Sequence, residues 1–333
     1  TLMFEQGVGM QVIDEGRLTA VGSSENPITL TGVEEQRGFW KGIRYRDTRS
    51  SDNTLDYVVL EYAGSDQWHG GDISRGGIFA EGNGVALSVS NSTFRENAQA
   101  GFVADGQDSD LTIVSSTFES NEIPLWLHAN LVGGLAADNA ASGNDEDYVR
   151  VGTGGSEVSS NQTWQTLDVP YRIRNTPNVT ADLVLSPGMT LEFNQDVGLG
   201  IGGGTLVADG SSGDVIKFIA ADGETLKGFW KGIQFRDSFS STNKIANAEI
   251  RYGGSSGWHG GDASVANLFV RGGGSKAQVA LDTVTISHSG SWGISVEGEG
   301  SISPCSGVTF EDNGDGSTGG DTNVHEDATY DCN

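Results

Sequence analysis

The chain has 333 residues, of which 50 are glycine and 6 are proline, and the glycines follow no Gly-X-Y period, so a collagen-like triple helix is excluded. Its 19 Lys and Arg against 45 Asp and Glu give a formal net charge of -26, which predicts no binding to nucleic acid and leaves cations, neutral sugars and basic surfaces as suitable partners. No stretch approaches the ~20 apolar residues of a membrane-spanning helix, so no transmembrane segment is predicted.

Short strand-like runs separated by Gly, Asn or Ser follow one another along the chain. VALSVSNSTFRENAQAGFVADG begins at Val85, DLTIVSSTFESNEIPLWLHAN at Asp110, and VALDTVTISHSGSWGISVEGEG at Val279. Alternating apolar positions within runs rich in Val, Ile, Thr and Phe predict β-strands, and no segment of helical length has a convincing helical period. The chain is therefore predicted to be all-β.

One long unit occurs twice. Residues 38–72 read GFWKGIRYRDTRSSDNTLDYVVLEYAGSDQWHGGD, and residues 228–262 read GFWKGIQFRDSFSSTNKIANAEIRYGGSSGWHGGD, an alignment without gaps in which about half of the positions are identical. TLMFEQGVG at Thr1 matches TLEFNQDVG at Thr190 in the same way. We predict two domains, residues 1–160 as a first, N-terminally incomplete unit and residues 161–333 as a second.

The spacing between repeated phenylalanines favours a solenoid over a sandwich of hairpins. Phe94 and Phe118 are separated by about one coil, so with Phe310 they are expected to form an inward stack. Asn97 and Asn121, three residues after two of these phenylalanines, are expected at corners because Asn tolerates left-handed backbone. These patterns predict a right-handed parallel β-helix, with a propeller as the alternative.

The run GMTLEFNQDVGLGIGGGTLVADGSSGDVIKF, followed by GFWKGIQF and by short coils such as NSTFRENAQAGF, resembles the right-handed parallel β-helix repeat proteins of bacterial cell surfaces. These proteins are related in shape to the pectate-lyase-like superfamily. The resemblance covers nearly the whole chain and implies a fold. It implies no single function, because that fold hosts lyases, hydrolases, adhesins and structural rods.

The sequence Trp-His-Gly-Gly-Asp, present in both copies, is the sharpest candidate site. An imidazole and a carboxylate three residues apart suit a transition metal, and the neighbouring indole suits a sugar ring. The candidate binding residues are Trp68, His69, Asp72, Trp258, His259 and Asp262, and the candidate metal ligands are the two His and two Asp residues among them. A structural loop closed by a His–Asp hydrogen bond explains the motif equally well.

The C-terminal segment combines acidic residues with the two cysteines of the chain. Asp312, Asp315 and Asp321 give the oxygen density that calcium prefers, without EF-hand spacing. Pairing of Cys305 with Cys332 would pin the last coil and contribute about 3 kcal/mol in the chain-entropy interpretation. Such a bridge indicates an oxidising compartment, and hence a secreted or cell-surface protein.

No catalytic residue is predicted, because the sequence contains no nucleophile elbow, phosphate loop or zinc-protease motif. We therefore expect a non-enzymatic extracellular module for structure, adhesion or ligand binding. The partners expected are a cell-surface glycan, a neutral polysaccharide or another protein. Two alternatives remain open: a carbohydrate-binding or polysaccharide-degrading β-helix protein, and a metal-binding surface protein that holds calcium or a transition metal as its cofactor.

Overall fold

The computed structural model of the chain describes residues 1–82, 84–314 and 324–326. It contains two compact units, one formed by Thr1–Gly155 with Leu167–Pro170 and the other by Ser156–Thr166 with Tyr171–Asn333. The division into domains at residue 160 stays a prediction.

Both units are built from β-strands, with short 3₁₀ turns at Asp72–Ser74, Ala129–Gly134, Ala221–Gly223 and Asp262–Ser264. The strands of the first unit are β1 Leu2–Phe4, β2 Gly9–Ile13, β3 Thr19–Val21, β4 Ile28–Gly32, β5 Gly42–Arg46, β6 Thr54–Asp56, β7 Val58–Glu61, β8 Ile78–Glu81, β9 Ala86–Ser90, β10 Thr93–Arg95, β11 Ala100–Ala104, β12 Asp110–Val114, β13 Thr117–Glu119, β14 Ile123–Leu127, β15 Ala140–Ser142 and β16 Val149–Val151.

The strands of the second unit are β17 Glu157–Val158, β18 Gln162–Trp164, β19 Tyr171–Ile173, β20 Asn178–Val179, β21 Asp182–Leu185, β22 Thr190–Phe193, β23 Gly198–Gly202, β24 Thr205–Asp209, β25 Ile216–Ala220, β26 Gly232–Arg236, β27 Lys244–Arg251, β28 Ala266–Ser287, β29 Trp292–Ser306, β30 Thr309–Glu311 and β31 Val324–Glu326.

Parallel pairing in the first unit follows a simple rule. A strand pairs with the strand three places later, which gives the series β1–β4–β7–β10–β13, β2–β5–β8–β11–β14 and β3–β6–β9–β12. The first two series end with β15 and β16, because the 3₁₀ turn at Ala129–Gly134 replaces a strand of the third. The predicted all-β class with parallel sheets is thus confirmed.

The second unit is paired in the same parallel sense. The series β17–β20–β23–β26 and β18–β21–β24 repeat the three-place rule. Beyond them the strands are longer, and successive segments of β28 pair with β26 and then with β27.

Alternation of apolar and polar residues decides which side of a strand is buried. In β9, Leu87 and Val89 are buried while their neighbours are half-exposed, and β12 repeats this with Leu111 and Ile113. Because side chains of a strand point alternately to opposite faces, each strand gives one row of apolar residues to the core. Each fully buried Leu, Ile or Phe contributes about 1.5–3 kcal/mol.

Aromatic rings line up between successive strands of the core. Phe94 and Phe118 stack at 5.0 Å with nearly parallel planes, as predicted. Phe310 pairs in register with Ile286 in the second unit, so its place in the same stack was predicted wrongly. The Trp of each Gly-Phe-Trp-Lys-Gly-Ile motif is fully buried: Trp40 stacks on Phe4, and Trp230 repeats this at the same ring distance of 4.1 Å.

Buried asparagines occupy the predicted corners for a reason other than the expected one. The left-handed residues are Glu96 and Ser120, with φ of 51° and 54°, and not the asparagines that follow them. Asn97 Nδ2 donates to Asn121 Oδ1 at 2.9 Å, and Asn121 Nδ2 donates to Asn144 Oδ1 at 3.1 Å. The amides thus form a hydrogen-bonded ladder that satisfies corner backbone groups inside the protein.

Candidate functional site

Each Trp-His-Gly-Gly-Asp sequence lies in a loop that leaves one strand and returns to the next. The first loop, residues 62–77, joins β7 to β8, and the second, residues 252–265, joins β27 to β28. Tyr62 and Tyr252 begin the loops in the left-handed conformation, with φ of 63° and 67°. Asp72 and Asp262 begin the 3₁₀ turns, but their side chains are outside the described part of the structure, so their predicted roles as ligands stay predictions.

A buried serine ties each loop together. The Ser74 hydroxyl donates towards His69 O at 2.6 Å and Gly71 O at 3.0 Å, and His69 N donates to the same hydroxyl at 3.3 Å. Ser264 makes the corresponding contacts with His259 and Gly261. The two copies read WHGGDIS and WHGGDAS, so the repeat itself shows the serine. The prediction of site residues from the sequence nevertheless left it out.

The two histidines make the same contacts in both copies. His69 Nε2 lies 2.7 Å from Glu81 Oε2, and its Nδ1 lies 3.1 Å from Gly70 O. His259 Nε2 lies 2.8 Å from Glu297 Oε2, and its Nδ1 lies 2.9 Å from Gly260 O. Each ring also packs against a buried phenylalanine, Phe79 or Phe269, at about 5.5 Å.

These contacts decide what the imidazole can do. A carboxylate and a carbonyl oxygen both accept hydrogen bonds, so only the doubly protonated ring can donate to both at once. Whichever ring nitrogen carries the proton, it faces an acceptor of the protein, either the glutamate carboxylate or the glycine carbonyl oxygen. In this arrangement, each histidine is a hydrogen-bond donor that closes its loop.

The acid that receives the histidine differs between the copies. In the first copy the acid is Glu81 of β8. Arg44, on the neighbouring strand β5, donates from its Nε to Glu81 Oε1 at 2.5 Å. In the second copy the position of Glu81 is occupied by Arg271, and the acid is Glu297, its register partner on β29. The His–carboxylate contact is therefore kept although different strands supply the acid, and sequence alignment alone gave no signal for either glutamate.

Each tryptophan lies flat between a strand and a lysine. Trp68 covers Gly9, where an added Cβ would lie 2.5 Å from Cη2, and Lys41 Nζ lies 4.9 Å from the ring centroid. Trp258 covers Gly198, where the Cβ distance would be 2.7 Å, and Lys231 Nζ lies 4.8 Å away. The exposed indole expected for stacking on a sugar is thus a half-buried indole that faces protein on one side and a lysine on the other.

The first loop also covers an apolar patch on its sheet. Trp68 and Ile73 pack against a cluster that includes Phe79, Val103 and Trp126. These three alternate with core residues such as Phe102 and Leu125, so they lie on the opposite face of the sheet. The loop therefore keeps apolar surface away from water.

The predicted metal sites gain no support from the described residues. Among them, no group of three or more His, Cys, Asp and Glu side chains could hold a metal ion. Asp312 is hydrogen-bonded by Lys227 Nζ at 2.6 Å, which lowers the pKa of its carboxyl. Asp315 and Asp321 lie outside the described residues, so the calcium site stays a prediction.

The predicted disulfide also includes a residue outside the described part of the structure. Cys305 lies in β29 with 8% of its surface exposed. Cys332 lies outside the described residues, so its pairing with Cys305 stays a prediction.

Asp237, in the Arg-Asp pair that follows the second Gly-Phe-Trp-Lys-Gly-Ile motif, braces a turn. Asp237 Oδ1 accepts hydrogen bonds from Gly273 N, Gly274 N and Ser275 N at 2.7, 2.8 and 3.0 Å. The Ser275, Gly274 and Gly273 amides lower the pKa of the Asp237 carboxyl to about 2, because they stabilise the charged form. This backbone concavity is filled by the protein's own carboxylate.

No helix among the described residues is both long enough and apolar enough to cross a membrane. Comparison of the sequence with protein-family models gave no match, and no match was found among curated proteins or solved structures.

Proposed function

We propose that the chain is a right-handed parallel β-helix of two tandem copies, and that it serves outside the cell as a non-enzymatic structural or binding module. Parallel pairing of strands three places apart supports the β-helix, since three strands per coil give that rule. The repeated contacts of the two loops support the tandem arrangement.

One observation carries the non-enzymatic role: both ring nitrogens of both histidines are engaged by acceptors of the protein itself. A catalytic or metal-binding imidazole needs a nitrogen that can reach a substrate or an ion. The Trp-His-Gly-Gly-Asp loops therefore serve as braces that hold a chain excursion against the sheet.

The proposed class of ligand follows from the net charge of the chain. With a formal net charge of -26, the module repels acidic polysaccharides and nucleic acids and tolerates neutral glycans or a basic protein surface. A cell-surface glycan, a neutral polysaccharide or a partner protein is the proposed ligand class. Secretion or display at a cell surface is part of the same proposal.

The test combines His69→Ala with His259→Ala in the full chain. Loss of a charge-assisted, half-exposed hydrogen bond should lower the free energy of unfolding by about 1 kcal/mol per site and leave glycan-array binding unchanged. Glu81→Gln is the matched variant for the first loop. In a double-mutant cycle, it should show a coupling of about 0.5 kcal/mol or more with His69→Ala.

Three results would contradict the proposal. Lost glycan binding with an unchanged unfolding transition would contradict the brace role of the loops, because the loops themselves would then bind the glycan. About two equivalents of a transition metal, lost in the double variant, would make the chain a metal-binding protein. Release of reducing ends or unsaturated products from a polysaccharide would make it an enzyme.

A further inference from the structure

Three Asn-x-Ser/Thr sequences occur in the chain, and all three asparagines are exposed. They read NST at Asn91, NQT at Asn161 and NVT at Asn178. The asparagines that the structure buries, such as Asn97 and Asn121 of the ladder, belong to no such sequence. Because Asn-x-Ser/Thr is the acceptor sequence for an N-linked sugar, exposure is the first requirement for each site in the folded chain.

The side-chain amide of Asn161 is held in place by its oxygen alone. Asn161 Oδ1 accepts a hydrogen bond from the Asp182 N–H at 3.0 Å on the exposed surface. Within the part of the chain that the structure describes, no protein group accepts a hydrogen bond from Asn161 Nδ2. An N-glycosidic bond to Nδ2 leaves the carbonyl oxygen unchanged, so the hydrogen bond from Asp182 is kept when a sugar is attached.

Asn178 begins β20 and presents its amide to the outer side of the strand. The next residue, Val179, is fully buried, so alternation along the strand puts Asn178 and Thr180 on the side away from the core. The Asn178 side chain lies across Gly202, where an added Cβ would overlap Asn178 Oδ1. Among the described residues, neither side-chain amide atom of Asn178 has a hydrogen-bond partner. A sugar on Nδ2 therefore breaks no contact of the protein.

The amide of Asn91 is in a different situation. Its Nδ2 donates to Asp56 Oδ1 at 2.8 Å, and the Ser90 hydroxyl donates to the same oxygen at 2.7 Å. Asn91 also has φ of 48°, in the turn between β9 and β10. A sugar on this nitrogen would crowd the carboxylate, so Asn91 is expected to be less occupied than the other two sites.

We propose that Asn161 and Asn178 are N-glycosylation sites, each with an oligosaccharide on Nδ2. The donor is an oligosaccharide joined through its anomeric carbon to a polyprenyl phosphate, and a membrane-bound transferase catalyses the step. Nδ2 forms a bond to the anomeric carbon and releases one proton to solvent, while the bond from that carbon to the phosphate oxygen breaks and its electron pair leaves with the phosphate. The inference rests on the proposed extracellular role, because this transfer serves exported chains.

The two sites lie close together in the second unit. Asn161 is hydrogen-bonded to Asp182, which begins β21 four residues after Asn178. Asn178 pairs in register with Glu157 of β17, and Glu157 Oε1 accepts from Thr180 Oγ1 at 3.0 Å. The two oligosaccharides would therefore cover the same corner of this unit.

The test uses the full chain purified from the cells that encode it, with fragmentation mass spectrometry of its peptides. We expect an oligosaccharide mass on Asn161 and on Asn178, and lower occupancy at Asn91. Surface biotinylation of intact cells locates the same chain. A surface-exposed chain without sugar at Asn161 and Asn178 would overturn this inference and leave the proposed extracellular role standing. An unmodified chain found only inside the cell would overturn both.

Variants produced in the same cells test the acceptor sequence itself. Thr180→Ala should abolish the sugar at Asn178 and Thr180→Ser should keep it, because the acceptor sequence requires a hydroxyl at this position. Thr205→Ala is the matched control: Thr205 Oγ1 also donates to an exposed carboxylate, Asp182 Oδ1 at 2.7 Å, but no asparagine lies two residues before it. This control should leave both sites modified. Sugar kept in Thr180→Ala, sugar lost in Thr205→Ala, or occupancy at Asn91 equal to that of the other two sites would overturn the proposal.

Discussion

Replacement of Asn121 by alanine tests the asparagine ladder of the first unit. This side chain is fully buried and takes part in four hydrogen bonds: its Oδ1 accepts from the Asn97 N–H and side-chain amide, and its Nδ2 donates to Phe94 O and Asn144 Oδ1. At about 1 kcal/mol net for each of these four hydrogen bonds, the loss should be about 4 kcal/mol.

The assay is urea denaturation at neutral pH, followed by tryptophan fluorescence and by hydrogen exchange at the Asn97 amide. Asn161→Ala is the matched control: its Oδ1 accepts from the Asp182 N–H at 3.0 Å on the exposed surface, so its removal should cost less than about 0.5 kcal/mol. A loss below about 1 kcal/mol for Asn121→Ala, with an unchanged dependence on urea, would refute the account of the ladder.

Three further predictions concern single positions. The Tyr45 hydroxyl is buried without a hydrogen-bond partner and the matching residue is Phe235, so Tyr45→Phe should leave stability unchanged or raise it by about 1 kcal/mol, measured by thermal unfolding. Gly42 has φ of 97° and an added Cβ would lie 2.4 Å from Gly76 O, so Gly42→Ala should cost more than about 2 kcal/mol in urea, whereas Gly70→Ala, in open space, should cost under about 1. The Asp237 pKa is held at about 2 in the folded chain, below the ordinary carboxyl value. Its contribution is therefore full above about pH 4 and lost as pH falls towards 2, so the stability difference between wild type and Asp237→Asn should shrink over that window, and a constant difference would refute it.

Local sequence patterns predict much of the fold. Alternating apolar residues predicted the strands, and Phe94 and Phe118 predicted a stack because their spacing equals one repeat. Such features depend only on the neighbours of a residue and on the length of the repeat, so the sequence carries them directly. The same holds for the serine that closes each loop, which sits five residues after each histidine.

The chemistry of the site was decided by strand register. His69 meets an acid 12 residues later in the chain, and His259 meets one 38 residues later, although the two loops have nearly the same sequence. The sequence by itself determined an all-β, parallel, repeated chain. The tertiary structure decided which side chains meet between neighbouring strands, because those contacts join residues whose separation along the chain varies with the length of each loop.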